Sequence, residues 1–443
     1  MFSVTRILDV FCDRREMVMK LIRIVFCLGM VWSSFGSAAP GLVQGFSLTE
    51  IGQHLYDASA DPNVKTEAQK VVDQVYELGA RHISLSPRAY MRDPRGTEVI
   101  PMTPLSDRSQ ERERYRRLIS YIKGKGMTVG IRPIFFVVDS AGNTPFIETL
   151  PDGTKKNWWH GNIQPRDPNA WFESFKTYLD IYMTIAKLTK IDEFTIGAEL
   201  YSMTVGIEDQ WKEYPHGFPG RWLELLNYTR ARLGQNVRIM YDINFTDDKA
   251  VGPTASEFGG EIARWRYRIV DLANPTNPAE LKIWEDLCLL WNSLDAVGID
   301  MYRSFGSAGV SYAAMNVDAL ANALRDTSDR YASQLDNVFV EIESVVGKPK
   351  TVIFKEVGFR SITKGFVNPF EYVSSEGEPN PAHQAAAYRA FFKSFQEANF
   401  PWYKGVIFWD VSVNPLTQGP RDQGFTPLGK SETEKEIREA FKQ

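Results

Sequence analysis

Cysteine is scarce in this chain, which has three cysteines among its 443 residues. Two of them, Cys12 and Cys27, lie close to the N-terminus. If that segment is removed, only Cys288 remains and no intrachain disulfide can form. Cys288 lies in the apolar run Leu287–Trp291, which predicts a buried small hydrophobic side chain.

Histidine is also rare, with five residues, and no two of them have the spacing of metal ligands. The sequence contains no HExxH motif and no cysteine cluster, so a zinc site is not indicated. It also lacks a Gly-x-Ser-x-Gly motif, which argues against serine hydrolases. No glycine-rich loop follows the first predicted strand, which argues against an open doubly wound sheet. No metal and no cofactor are therefore expected.

Long runs of like charge are missing as well, and the net charge is -4. A nucleic-acid-binding protein usually has a basic face, so no nucleic-acid partner is expected. The composition is 43% hydrophobic and 24% charged, which is ordinary for a globular protein. An acidic enzyme with a neutral substrate fits these properties best.

The apolar run at the N-terminus is too short to span a bilayer. It extends from Ile24 to Trp32, after the basic stretch Met19–Arg23 and before a small-residue cleavage site at Gly36-Ser37-Ala38. This arrangement predicts a signal peptide over residues 1–38. The protein is then expected to be secreted or periplasmic, monomeric and without a stable membrane anchor. An N-terminal anchor or helix is the alternative interpretation.

From Gly41 onward, short apolar runs alternate with amphipathic segments. Eight strand–helix pairs in strict alternation predict an α/β fold, a closed (β/α)8 TIM barrel that forms a single domain over residues 39–443. An open doubly wound sheet is the alternative. The predicted strands are Val43–Ser47, His82–Ser86, Thr128–Phe136, Phe194–Gly197, Arg238–Asp242, Leu294–Ile299, Thr351–Phe354 and Gly405–Trp409.

Two glutamates follow predicted strands. Glu199 comes after the fourth strand and Glu356 after the seventh. In a barrel, catalytic groups lie at the C-terminal ends of strands, and these two strands lie across the mouth from each other. A retaining glycosidase needs two carboxyl groups about 5–5.5 Å apart, one as acid and one as nucleophile. The alternative for a single glutamate here is a helix cap or a surface salt bridge.

Aromatic residues make up 13% of the chain, including 11 Trp, and a ring face packs well on a sugar. Trp158, Trp159 and Trp211 are candidate stacking platforms along a cleft, and core packing is the alternative for each. Trp409, at the end of the eighth strand, is expected to form the floor of the subsite for the reacting sugar; packing under the barrel rim is its alternative.

Further polar residues lie at predicted strand ends. Tyr302 is expected to donate a hydrogen bond to Glu356 and keep it ionised, with a core tyrosine as the alternative. Three candidates are expected to bind sugar hydroxyls or to hold Glu356 charged, with a structural salt bridge as the alternative: Arg88, Tyr90 and Arg132. Asp242 and Asp300, also near strand ends, are expected to contact the substrate.

Several of these motifs resemble glycoside hydrolase family 113, a family of clan A retaining barrel glycosidases. They are Ile196–Leu200 (IGAEL), Phe354–Phe359 (FKEVGF), Trp158–Trp171 (WWHGNIQPRDPNAW), Leu294–Tyr302 (LDAVGIDMY) and Phe408-Trp409-Asp410. The resemblance runs from about Gly45 to Trp409. It implies a β-mannanase-like enzyme with Glu199 as acid/base and Glu356 as nucleophile.

The sequence departs from the family pattern at two positions. Ala198 stands where many clan A enzymes have the Asn that contacts the sugar 2-hydroxyl, and Ile134 follows Arg132-Pro133 where family members often have His. These departures concern sugar contacts rather than the two glutamates.

The predicted function is a retaining glycoside hydrolase of a β-linked polysaccharide or oligosaccharide. An endo-β-1,4-mannanase is the first candidate.

Two alternatives remain open. One is a glycosidase acting on another polymer, such as peptidoglycan, exopolysaccharide or glucan. The other is a barrel that binds polysaccharide without cutting it. A separation of the two carboxylates well beyond about 10 Å, or a salt bridge that consumes either glutamate, would favour the non-catalytic barrel.

Overall fold

The computed structural model describes residues 41–49, 63–206, 211, 213–247, 259–371 and 377–442. The predicted signal peptide over residues 1–38 lies outside this part of the chain. Among the described residues, no helix is both long enough and apolar enough to cross a membrane.

Eight parallel strands close into a barrel. Each strand pairs with the one before and after it in the sequence, and the last strand pairs with the first. Every predicted barrel strand is found, which confirms the (β/α)8 architecture. The strands are β1 (Val43–Thr49), β2 (His82–Leu85), β3 (Thr128–Ile131), β4 (Glu193–Ala198), β5 (Arg238–Thr246), β6 (Ala296–Tyr302), β7 (Val352–Val357) and β8 (Tyr403–Ser412).

Helices surround the barrel, and several begin at a capping residue that can be recognised in the sequence. Asp167 accepts a hydrogen bond from the backbone of Ala170, and Pro168 occupies the first helical turn, where its missing N–H costs nothing. The helices are α1 (Glu67–Glu77), α2 (Arg108–Gly124), α3 (Pro168–Thr189), α4 (Tyr201–Thr204), α5 (Pro219–Leu233), α6 (Gly260–Arg266), α7 (Pro278–Ser293), α8 (Val317–Val346), α9 (Pro381–Phe391) and α10 (Ser431–Ala440). The π-helical turns Tyr267–Asp271 and Phe392–Gln396 extend α6 and α9.

The predicted third strand, Thr128–Phe136, is in fact two strands. Thr128–Ile131 stays in the barrel, whereas Ile134–Val137 pairs with Arg88–Met91 in a separate three-stranded sheet completed by Ile100–Pro101. The break falls at Pro133, which has no N–H to contribute to a ladder. Arg132 therefore directly follows the barrel strand, and its side chain is buried.

The segment between β3 and α3 contains a hairpin, Phe146–Thr149 with Lys155–Trp158, whose strands are too short to give a clear alternating pattern. Cys288, predicted to be buried, is half-buried. Burial raises the pKa of its thiol to about 11.

The interior of the barrel is layered. Four apolar residues, Met240, Ala296, Ile353 and Ile407, form a small cluster of their own. Charged side chains occupy other positions in the interior: Lys355 forms a buried ion pair with Glu193. This polar interior continues at the C-terminal ends of the strands, where the predicted site residues lie.

Candidate active site

The ends of β4, β6, β7 and β8 bring predicted site residues to one rim of the barrel. Glu199 directly follows β4, Tyr302 ends β6, Glu356 lies next to last in β7, and Trp409 lies near the end of β8. Because parallel strands end at the same side of a barrel, these side chains share its C-terminal mouth.

Glu356 is held through both carboxylate oxygens. The Tyr302 hydroxyl donates to Oε2 at 2.7 Å, as predicted, and Arg132 Nη1 donates to Oε1 at 2.5 Å. Burial raises the pKa of Glu356, and the nearby charge of Glu199 adds to the rise. The Arg132 guanidinium and the Tyr302 hydroxyl oppose it, because both stabilise the ionised carboxylate.

Arg132 is the centre of a buried charge cluster. Its side chain is 1% exposed, and it donates from Nε to Asp242 Oδ2 at 2.6 Å and from Nη2 to Asp300 Oδ2 at 2.7 Å. One guanidinium therefore contacts three carboxyl groups, including Glu356. Burial raises the pKa of Asp300 well above its usual range, and the positive charge of Arg132 opposes that rise.

The prediction that Asp242 and Asp300 contact substrate is wrong. Both side chains are fully buried and engaged with Arg132, so a sugar hydroxyl does not reach them. Their place follows from strand register: Asp242 lies opposite Ala198, and Asp300 lies opposite Glu356. These two acids support the site from below.

Glu199 has a backbone conformation that is rare outside glycine. Its φ is 54°, in the left-handed region that costs free energy for a residue with a Cβ. Its N–H donates to the carbonyl of Asp242 at 2.8 Å, and its Oε2 lies 3.1 Å from His160 Nε2. The turn after β4 thus aims this carboxyl at the mouth of the barrel.

His160 was not among the predicted site residues. It lies in the turn His160–Asn162, inside the tryptophan-rich segment that resembles the family. Its ring packs edge-on against Trp159, with ring centroids 4.7 Å apart, and against Phe135 at 6.0 Å. The adjacent tryptophans were the available signal, but nothing local to the sequence pairs this histidine with Glu199.

Two of the predicted aromatic residues lie beside these groups. Trp409 is 7% exposed, its ring centroid is 5.9 Å from the Arg132 guanidinium carbon, and a cis peptide bond joins it to Asp410. Trp159 is partly buried and packs on Tyr201 as well as on His160. Trp409 therefore lies beside the arginine that binds Glu356, and Trp159 packs on the histidine that contacts Glu199.

The predictions of stacking platforms at Trp158 and Trp211 are wrong. Trp158 is fully buried, donates from Nε1 to Glu148 at 2.7 Å and has Lys156 over its ring. Trp211 is 6% exposed and packs against Tyr214 and Phe218. Both rings thus pack among neighbouring side chains, which is the core-packing alternative for each.

Arg88 and Tyr90 lie in the separate three-stranded sheet rather than in the barrel. The Arg88 guanidinium lies over the Phe136 ring at 5.6 Å, and that of Arg92 over the Tyr90 ring at 5.2 Å. Arg88 is also close enough to oppose the rise in the pKa of buried Asp410, which burial raises to about 6. The charge on Glu356 is instead held by Arg132.

Sequence comparison identifies a family. The model of Glycoside Hydrolase Family 113 matches residues 55–229 and 281–430, more than half of the chain. These two stretches include Glu199, Tyr302, Glu356 and Trp409. No protein with curated annotation matches the sequence.

Solved structures share the fold. A β-mannanase from Alicyclobacillus acidocaldarius, in complex with ManMIm, superposes with a TM-score of 0.57 at 17% identity, over 91% of this chain and 97% of that chain. A complex of a β-1,4-mannanase of the same family superposes with a TM-score of 0.56 at 18% identity, over 91% of this chain and 99% of the other. At such identities the likeness shows the barrel fold and its connectivity.

Proposed function

The chain belongs to glycoside hydrolase family 113, and from that membership we propose that it is a retaining endo-β-mannanase with Glu356 as nucleophile and Glu199 as acid/base. The observation that carries the proposal is the setting of Glu356. Its two oxygens accept hydrogen bonds from Arg132 and Tyr302 at the end of β7. This arrangement favours an ionised and oriented carboxylate, which a nucleophile requires.

In the first half of the reaction, a Glu356 oxygen forms a bond to the anomeric carbon while the glycosidic C–O bond breaks. Glu199 gives its proton to the departing oxygen. In the second half, Glu199 takes a proton from water, and the water oxygen displaces Glu356 from the anomeric carbon. Two inversions leave the configuration retained, and both carboxyl groups return to their starting states.

The ion pair between Arg132 and Glu356 does not meet the criterion set for a non-catalytic barrel, which is a salt bridge that consumes a glutamate. A carboxylate oxygen has two acceptor lone pairs, and each oxygen of Glu356 accepts one bond in the described part of the chain. Arg132 also divides its charge among Glu356, Asp242 and Asp300. The pairing therefore orients Glu356 without consuming it.

We propose β-1,4-linked mannan as the substrate because the two similar structures of the same family are a β-1,4-mannanase and a β-mannanase. Trp409 would form the floor under the reacting sugar, and Trp159 would contact the sugar next to Glu199. Ala198 and Ile134 replace side chains that the family often uses for sugar contacts, so another β-linked polymer is the second candidate. We further propose that residues 1–38 direct export and are then removed; N-terminal sequencing of the secreted protein tests this.

The test is reducing-end release from mannan, glucomannan, cellulose, xylan and peptidoglycan, with Glu356→Gln as blank. Release from mannans that is lost in the variant supports both substrate and nucleophile. Release from another polymer alone retains the mechanism and replaces the substrate. No release from any polymer, with binding retained, overturns the proposal in favour of a binding barrel.

A further inference from the structure

The strained backbone at Glu199 is fixed through the residue that follows it. The N–H of Leu200 donates to the hydroxyl of Tyr241 at 3.0 Å. The carbonyl of Leu200 accepts from Thr204 Oγ1 at 2.9 Å, and Thr204 Oγ1 is itself 2.8 Å from the Tyr241 hydroxyl. Both polar groups of Leu200 are thus tied to side chains. Since a left-handed non-glycine residue persists only where its surroundings hold it, these bonds stabilise the conformation of Glu199.

The Tyr241 side chain is itself held rigidly by its neighbours. It lies in β5 with a fully buried side chain, and its ring packs edge-on against Trp222 at 5.2 Å. A Cβ at Gly197, two residues before Glu199, would lie 3.0 Å from this ring and 2.6 Å from that of Trp222. The glycine in the IGAEL motif therefore allows Tyr241 to approach the end of β4 closely.

A buried carboxyl group anchors the Tyr241 hydroxyl from the other side. Glu261, in α6, is fully buried and accepts at Oε1 from Tyr241 at 2.8 Å and from Trp265 Nε1 at 3.0 Å. Its own N–H donates to Asn244 Oδ1 of β5 at 2.6 Å, which fixes the start of α6 against the barrel.

The environment of Glu261 favours its neutral form. Burial raises the pKa of Glu261 to about 8 and the charge of Glu199 adds to the rise, while Arg264 acts in the opposite direction. In the described part of the chain, Oε2 of Glu261 has no hydrogen-bond partner. A buried acid with one unpaired oxygen is costly for packing alone, and its contacts lead to the turn that carries the acid/base.

We infer that Tyr241 and Glu261 are positioning residues that hold Glu199 in its proton-donating orientation through the backbone of Leu200. This inference rests on the proposed function, in which Glu199 is the acid/base. It adds a buried network, Glu261–Tyr241–Leu200, that contacts no substrate and acts on the reaction only through the placement of one carboxyl group.

The test compares two substrates in kcat/KM, which reports the first half of the reaction. A β-linked mannooligosaccharide has a poor leaving group and needs the proton from Glu199, whereas a dinitrophenyl glycoside leaves without it. Since small misplacements of catalytic groups cost up to about 100-fold, Tyr241→Phe is expected to lose roughly 10- to 100-fold on the oligosaccharide. Its kcat/KM on the dinitrophenyl glycoside is expected to stay close to that of the unmodified enzyme.

Matched variants separate positioning from folding. Tyr403→Phe removes another buried hydroxyl, which lies at the opposite end of the barrel and has no partner among the described residues. It is expected to leave kcat/KM unchanged for both substrates. Glu261→Gln imitates the neutral acid and is expected to retain most activity, whereas Glu261→Leu is expected to behave like Tyr241→Phe. Thr204→Val, which keeps the side-chain shape, is expected to show a smaller loss with the same substrate preference.

Equal losses on both substrates, or full activity in both Tyr241→Phe and Glu261→Leu, overturn the inference. The Glu199→Gln variant distinguishes this failure from failure of the proposed function. If Glu199→Gln itself shows no preference for the dinitrophenyl glycoside, then Glu199 is not the acid and the proposed function falls. If Glu199→Gln shows that preference and the Tyr241 variant does not, only the positioning network is rejected.

Discussion

Arg132 and Glu356 form a buried ion pair, with 2.5 Å between Nη1 and Oε1. The residues are 224 positions apart in sequence, and each enters the barrel from its own strand end. The same guanidinium contacts Asp242 and Asp300. Four charged side chains under the proposed sugar site therefore depend on one another, and the first prediction concerns the residue that joins them.

Replacing Arg132 by methionine removes the ion-pair partner that Glu356, Asp242 and Asp300 share in the barrel interior. Breaking a buried pair in this way typically costs about 3–5 kcal/mol, and we expect a loss of that size in the free energy of unfolding, together with loss of activity. Without Arg132 the pKa values of these acids in the folded state rise further, so stability should fall as pH increases. Urea denaturation at pH 5 and pH 8 measures the loss of stability and its dependence on pH.

Arg116→Met provides the control for that variant. Arg116 is exposed and pairs with Glu113 on the surface of α2, where an ion pair contributes about 0–1 kcal/mol. Arg132→Lys keeps the charge but lacks the planar fork that reaches three acids, so an intermediate stability is expected. If Arg132→Met is as stable at pH 8 as the unmodified protein, the cluster does not have the proposed electrostatic role.

Tyr302→Phe removes the hydrogen bond to Glu356 Oε2. The hydroxyl favours the ionised carboxylate, so its loss raises the pKa of Glu356 further. Because the nucleophile must be ionised, the acidic limb of the kcat/KM–pH profile is expected to move to higher pH, with activity at neutral pH reduced roughly 10-fold or more.

The control for Tyr302→Phe is Tyr388→Phe, which removes a buried hydroxyl without a partner in the described part of the chain. That variant should keep the profile of the unmodified enzyme. An acidic limb that stays in place in Tyr302→Phe, despite a correctly folded protein, would show that Glu356 is not the group that titrates there.

His160→Phe keeps an aromatic ring between Trp159 and Phe135 but removes the contact with Glu199 Oε2. We expect kcat/KM for oligosaccharides to fall by about 10-fold, since the proton donor loses a side-chain anchor. Phe135→Leu changes the same packing without removing the nitrogen and should lose less. Equal losses in both variants would mean that His160 acts through packing alone.

Glu261 makes stability depend on pH. Its pKa is raised to about 8 in the folded state and is close to 4.3 in an unfolded chain, so folding takes up a proton between these values. The stabilisation that comes from this proton is therefore fully present below about pH 4. It is lost as pH rises toward 8, which lowers the free energy of unfolding by an amount on the order of a few kcal/mol.

The variant Glu261→Gln should remove that part of the decline, because an amide does not ionise. We therefore expect the melting temperature of the variant, minus that of the unmodified protein, to be greater at pH 8 than at pH 5. Glu111→Gln, at a half-buried acid on α2 that also accepts hydroxyl bonds, is the matched comparison. Parallel melting curves for Glu261→Gln and the unmodified protein across this range would exclude a neutral Glu261 in the folded state.

Much of the fold could be predicted because its signals are local. The runs around Ile196 and Phe354 end in small or charged residues, and the alternation of such runs with amphipathic segments is typical of a barrel. The cap at Asp167, with Pro168 after it, is another local signal and marks the start of α3. The hairpin that ends at Trp158 has strands too short to give such a signal.

The sequence by itself determined the barrel, the family and the two glutamates at strand ends, because each depends on residues close together in the chain. Only the tertiary structure decided which partners those glutamates have. The pairing of Arg132 with Glu356, of His160 with Glu199 and of Tyr241 with Leu200 joins residues 39 to 224 positions apart. The burial of Asp242, Asp300 and Trp158 likewise depends on which elements pack over them, because exposure is a property of the assembled neighbours and not of the residue.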